Sequence, residues 1–248
     1  MSAQAAQHLG ARRRLKKQIM VVLLTAIIPS FVQSSFAASE SFQCFTHVDS
    51  YSNHKKMGDG DFSPSVLWRD VTVSKTTIGY GPSGHREDEV TIIDGQIFMA
   101  HPGSKDEVIV TNKPNPDKGQ AMLQIASPTA WGEAATLDEI GSFDDLNFVL
   151  DDQSDEMECG DNVLLPFKIV GYANKVIWSL DTQPKHLVTN SNNQEVTIVG
   201  IYNRDQKEKY FMVRGYNLHA HVLLKAINEA GHLRDLELAE GAKLYLPR

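Results

Sequence analysis

The stretch Gly215–Leu238, GYNLHAHVLLKAINEAGHLRDLEL, decides how this 248-residue chain is read. It reads as a hairpin, and three of the chain's nine histidines lie in it: His219, His221 and, eleven residues on, His232. In an extended backbone successive side chains point to opposite faces, so His219 and His221 share one. A third imidazole from the next strand can then close one face of a metal ion. Three protein nitrogens with an open fourth position is the pattern of a catalytic zinc. Spacing alone leaves this reading open beside that of ordinary surface and core histidines.

Working outward, the residues before the hairpin are strand-like. Glu195–Tyr202 is apolar and β-branched, as a buried strand requires, and Arg204–Lys209 reads as a charged turn. Leu164–Tyr172 and Lys175–Leu180 read as a strand pair around Gly171. In the first half, Val71–Tyr80, Glu107–Thr111 and Ala121–Ala126 are strand candidates. Asp94-Gly95 between Glu89–Ile93 and Gln96–Ala100 is a strong hairpin signal. Thr136–Ile140 and Phe143–Leu150 resemble short helices with Asp near their starts. The balance predicts an α/β, or mixed α+β, chain. We expect two strand-rich subdomains, roughly 38–160 and 161–248, with mixed sheets, a few short helices and the metal site on the C-terminal strands.

The N-terminus reads as a leader. Arg12, Arg13, Arg14, Lys16 and Lys17 precede an apolar run, Ile19–Val32, and Ser35-Phe36-Ala37 offers a small-x-small cleavage site. Residues 1–37 are therefore expected to be a signal peptide, which places residues 38–248 in the periplasm or outside the cell. Its removal takes away five Lys/Arg and no Asp/Glu, moving the net charge from −7 to −12. Such an acidic chain argues against nucleic acid and anionic membranes as partners. Residues 119–167 alone hold eleven Asp/Glu and no Lys/Arg, which reads as a solvated face rather than a calcium loop. The two cysteines, Cys44 and Cys159, have no neighbours at metal-ligand spacing; export would permit a bridge between them, but spacing cannot supply its geometry. No phosphate-cradling loop, nucleophile elbow or paired-cysteine motif is present.

Four motifs together resemble the α-acetolactate decarboxylase family. GYNLHAHV with AGHLRDLEL resembles its GYHxH strand and GGHVxDFE continuation, and VTIVGIY (Val196–Tyr202) its GTIVGF strand. GDGDF (Gly58–Phe62) resembles YDGDF, and EVTIIDG (Glu89–Gly95) the family's Glu-led hairpin. Order and approximate spacing agree over residues 42–247. The resemblance implies a carbon–carbon lyase, a carboxy-lyase that turns 2-acetolactate, or a related small 2-hydroxy-3-oxo acid, into acetoin and CO2. It implies a Zn2+ held by three histidines as a Lewis acid, a glutamate handling the proton, and a homodimer. Carried over residue by residue, Glu89 is the glutamate and His232 the third ligand. Counting back from His232 makes His219 and His221 the first two, whereas aligning on Gly215-Tyr216 puts Asn217 in place of the first. The imidazole set is preferred because Asn is a poor zinc ligand.

Two departures stand out. The family carries an arginine just after the strand matching Lys175–Leu180; here the text is VIWSLDTQPK, in which only Lys185 offers a charge, and Lys is no substitute for a bidentate guanidinium. The family also has a C-terminal tail with a second glutamate, and this sequence ends at Arg248 without a counterpart. These departures keep a second reading alive, an exported metal- or ligand-binding protein that retains the fold without turnover. A cupin-like barrel is disfavoured, since no Glu follows His221 until Glu229. His85, just before Glu89, is placed to reach the pocket rim. The other histidines read as ordinary polar contacts.

Overall fold

Hairpins organise the described residues into two six-stranded sheets and a small two-stranded one. The structure, a computed structural model, describes residues 41–52, 54–204 and 215–248. The expected leader, and the charged turn beyond Arg204, lie outside the described residues. No helix among the described residues is long and apolar enough to cross a membrane.

In chain order the strands are β1 (Asp49–Tyr51), β2 (Val66–Leu67), β3 (Ile78–Pro82), β4 (Glu89–Ile93), β5 (Gln96–Pro102), β6 (Val108–Thr111), β7 (Gly119–Gln120), β8 (Leu123–Ala126), β9 (Trp131–Thr136), β10 (Leu164–Leu180), β11 (Leu187–Asn203), β12 (Leu218–Leu224), β13 (Glu229–Leu238) and β14 (Lys243–Pro247). The helices are α1 (His54–Gly58) and α2 (Phe143–Glu156). The first sheet runs β1-β8-β3-β4-β5-β6. In the second, β10 pairs with β11 along one edge and with β14 and then β13 along the other. Since β11 also pairs with β12 and β12 with β13, the pairings β10-β11-β12-β13-β10 form a closed circuit.

The mixed α+β class, dominated by strands with few helices, is what the structure shows. Its sheets differ from the expectation in one respect. Every strand pairing among the described residues is antiparallel rather than mixed. Parallel neighbours need a long crossover, usually helical, and α2 is the single helix of more than five residues among those described. The β4–β5 hairpin forms as read, with Asp94 at φ 48° and Gly95 at φ 77°, the left-handed pair that a tight hairpin turn needs.

Three local readings are corrected. Val71–Tyr80 is strand only from Ile78, where β3 begins. Leu164–Leu180 is one continuous strand, not a pair around Gly171, and it stays in register with β11 across that glycine. Gly171 is needed for close approach: a Cβ there would sit 2.6 Å from the Ala242 Cβ. Thr136–Ile140 is not helical. The Leu137 N–H donates to the Ala242 carbonyl, and Ile140 exchanges backbone hydrogen bonds with Leu238, so these groups are already used. Helix α2 does form, capped by Ser142, whose side chain accepts from the Asp145 N–H. Its buried Phe143, Leu146 and Leu150 repeat at helical spacing and join the main core around Trp178 and Phe167. Arg204 ties the helix to the end of β11: its guanidinium contacts Asp151 at 2.7 Å and Asp155 at 2.6 Å, and the Tyr202 hydroxyl also donates to Asp151.

Cys44 and Cys159 form a disulfide that fastens the segment before β1 to the region just after α2. A second core cluster packs Ile78, Tyr80 and Phe98 of the first sheet against Val199, Ile201 and Ala230 of the second. The histidine strands lie along this junction.

Candidate metal centre

Strand period and register bring the three histidines together. His219 and His221 lie on one face of β12, and His221 stands directly opposite His232 in the β12–β13 pairing. All three are buried, at 3 %, 0 % and 8 % exposure. One ring nitrogen from each lies within 4.8 Å of one from each of the others. The rings of His221 and His232 are nearly parallel, 5.4 Å apart, and the buried Tyr80 ring stacks on His221 at 5.1 Å.

The surroundings fix the rings. Thr91 Oγ1 sits 2.8 Å from His221 Nδ1. Asp181 Oδ2 sits 3.3 Å from His232 Nδ1. The Asp181 carboxylate, an acceptor only, selects the His232 tautomer that protonates Nδ1 and leaves Nε2 with its lone pair, while the Thr91 hydroxyl holds the His221 ring in place. The buried Nε2 atoms of His221 and His232 have no hydrogen-bond partner, which in a polar pocket is the signature of a donor atom awaiting a ligand. Burial pushes the His221 imidazole well below its usual range, and the neighbouring His232 adds to this. Burial lowers His232 as well, against the pull of Asp181. Neutral imidazoles are the form that a metal binds. The donor set therefore fits a divalent ion such as zinc.

Glu89, at the start of β4, completes the group. It is 3 % exposed, and its Oε1 lies 3.5 Å from His221 Nε2. Its Oε2 accepts the backbone N–H of Asp181 at 3.1 Å. Burial pushes its carboxyl up to about 8, the nearby Asp181 carboxylate adds to the rise, and Arg234 and Arg86 temper it. Asp181 titrates the other way. Burial would raise it, but the His232 hydrogen bond and the Arg234 guanidinium together hold it far below the usual carboxylate range. The Glu89 and Asp181 carboxyl groups are thus driven apart, a pattern typical of sites that assign acid and base roles.

Met57, Phe62, Arg86, Glu89, Asp181 and His232 line a cavity of about 290 Å³ that also reaches His219. Asn217, the alternative first ligand, lies just before β12, with its N–H bonded to Asn147 Oδ1 and its carbonyl to the Asn203 N–H. His85 is exposed and lines a neighbouring cavity rather than this one. Lys185 points away, to the Gly103 carbonyl and Asp106. Sequence reading missed Thr91, Asp181, Arg86 and Arg234. Thr91 and Arg234 carried a local signal, each two residues along the strand from Glu89 and His232 respectively, and Arg86 lies three residues before Glu89; Asp181 reaches the site from 92 residues beyond Glu89.

No family model matches the chain, and neither does any curated protein. Solved structures do. A protein of unknown function similar to α-acetolactate decarboxylase, from Staphylococcus aureus, superposes with a TM-score of 0.62 at 14% identity, covering 81% of this chain and 84% of that one. The α-acetolactate decarboxylase of Bacillus subtilis strain 168 gives the same score and identity, covering 81% and 86%. The acetolactate decarboxylase of Bacillus subtilis subspecies spizizenii gives 0.62 at 15% identity, with coverage of 81% and 86%. At this identity the likeness is one of fold.

Proposed function

We propose that this protein is an exported, zinc-dependent carboxy-lyase that decarboxylates 2-acetolactate, or a related small 2-hydroxy-3-oxo acid, to acetoin and CO2. The single observation that carries the reading is the buried convergence of His219, His221 and His232 beside Glu89 at the floor of a small cavity. The fold shared with acetolactate decarboxylases supports it.

His219, His221 and His232 would hold the ion. When bound, the metal supplies Lewis acidity that stabilises negative charge developing on substrate oxygens. Loss of CO2 leaves an electron pair on the substrate that must take up a proton. Glu89, raised to about 8 by burial, holds one at neutral pH. Its Oε2 is tied to the Asp181 N–H, so Oε1 is the oxygen that carries and delivers it. Thr91 and Asp181 keep the His221 and His232 rings oriented. Met57 and Phe62 give the cavity apolar walls.

The test is acetoin formation by zinc-loaded protein against a His232→Ala variant. Turnover in the wild type alone supports the reading; equal acetoin from both removes it. One observation favours a second reading. Where the resemblance expects an arginine after β10, this chain places Asp181, an anion, facing the cavity. Stoichiometric zinc with no turnover of any acetolactate analogue would select a binding protein that keeps the fold.

A further inference from the structure

We infer that Arg86 is the residue that recognises the carboxylate of the ligand, and that the pocket selects small monocarboxylates through it. The inference rests on the metal-centre reading above. Among the described lining residues of the cavity, Arg86 is the one permanent cation. Its Nε donates to the Asp181 carbonyl at 2.6 Å, and its guanidinium lies 5.3 Å over the Phe62 ring. Its two terminal nitrogens have no hydrogen-bond or ion-pair partner among the described residues. Arg234 is different: its Nε donates to Ser179 Oγ at 2.8 Å and its terminal nitrogen to Asp181, so it is consumed by that carboxylate.

The charge balance follows. Asp181 is already paired with Arg234, whereas no carboxylate among the described residues forms an ion pair with Arg86 at the cavity wall. A planar guanidinium with one edge fixed and the other free is the geometry that takes a carboxylate through two parallel hydrogen bonds.

The backbone that presents Arg86 is strained and tightly held. His85 and Arg86 both adopt left-handed φ, 59° and 58°, a conformation that costs non-glycine residues free energy and concentrates at functional sites. It is held by the His85 N–H on the Phe62 carbonyl at 2.7 Å, the Arg86 N–H on Ser83 at 2.9 Å and the Gln183 N–H on the Arg86 carbonyl at 2.8 Å. Gly84 permits the turn, since a Cβ there would lie 2.8 Å from Pro64 Cγ. The turn fixes the side chain in the wall, so Arg86 acts as a binding residue whose contact with the ligand is made in the ground state.

The test uses the zinc-loaded full chain and two inert probes, 2-hydroxy-2-methylpropanoate and its neutral primary amide, titrated by calorimetry. Arg86→Gln is expected to weaken the acid about 10- to 100-fold, the loss of a charge-assisted hydrogen bond, and the amide less than about twofold. Arg86→Lys recovers part of the acid affinity. With acetolactate as substrate, KM rises and kcat is little changed. Zinc content of each variant controls for folding. Independently of any variant, phenylglyoxal should label Arg86 in the wild type, with the acid and not the amide protecting it. Unchanged acid affinity in Arg86→Gln, equal weakening of both probes, or protection by neither overturns the inference. Failure of the decarboxylase reading looks different: no acetoin from any form while the probe pattern persists.

Discussion

The β12–β13 hairpin and the Ser83–Glu89 turn meet at the same cavity but are built by opposite rules. The hairpin is regular, and strand alternation with one register pairing suffices to gather three imidazoles. The turn is irregular: two left-handed residues in succession are held by contacts to Phe62, Ser83 and Gln183, and it delivers Arg86 and opens onto Glu89. Metal ligands can come from a repeat of two along one strand. The groups that set ring tautomers, proton supply and charge come from segments distant in sequence, such as Asp181 92 residues from Glu89.

Four predictions probe this division. The largest effect belongs to the hairpin. His232→Ala removes a donor and should cost more than the ten- to hundredfold in metal affinity typical of an outer partner, and acetoin formation with it, measured by chelator competition and product assay. Next is Glu89→Gln, which keeps shape and removes the proton donor. We expect kcat to fall about 10²- to 10⁴-fold while zinc content stays at the wild-type level; loss of zinc instead would place Glu89 among the ligands. Third, Asp181→Asn should lower zinc affinity about 10- to 100-fold through the His232 ring. Zinc binding indistinguishable from wild type would show that the hairpin orients its own rings, and the division drawn above would collapse.

The smallest effect lies away from both regions. The Tyr202 hydrogen bond and the Arg204 guanidinium hold the Asp151 carboxyl below its usual value, against a weaker effect of burial. A depressed carboxylate contributes stability that is fully present above its unfolded pKa, about 4, and is lost as pH falls through the lower folded value. Asp151→Asn should therefore flatten the decline in thermal midpoint below about pH 4 by a small amount, since the group is partly exposed, and leave zinc content untouched.

How much of this was legible follows the same divide. Asp94-Gly95 announces the β4–β5 hairpin because its backbone conformation is demanded by two adjacent residues. His219, His221 and His232 are readable because strand period is local. Gly171 misleads, since a glycine that ends a strand and one that lets another chain segment pass closely look alike in sequence. Thr136–Ile140 has helix-like composition, but its backbone groups are taken by Leu238 and Ala242, about a hundred residues later. Arg86 and Asp181 are invisible as a pair because nothing near either residue records that an Nε will find a carbonyl 95 residues away.

The most direct test of the central claim is the zinc content of purified protein after dialysis, measured by mass spectrometry for the wild type and for His221→Ala. A buried three-histidine centre predicts about one zinc per wild-type chain and nearly none in the variant. Equal zinc in both, or none in a folded wild type supplied with the metal, contradicts it.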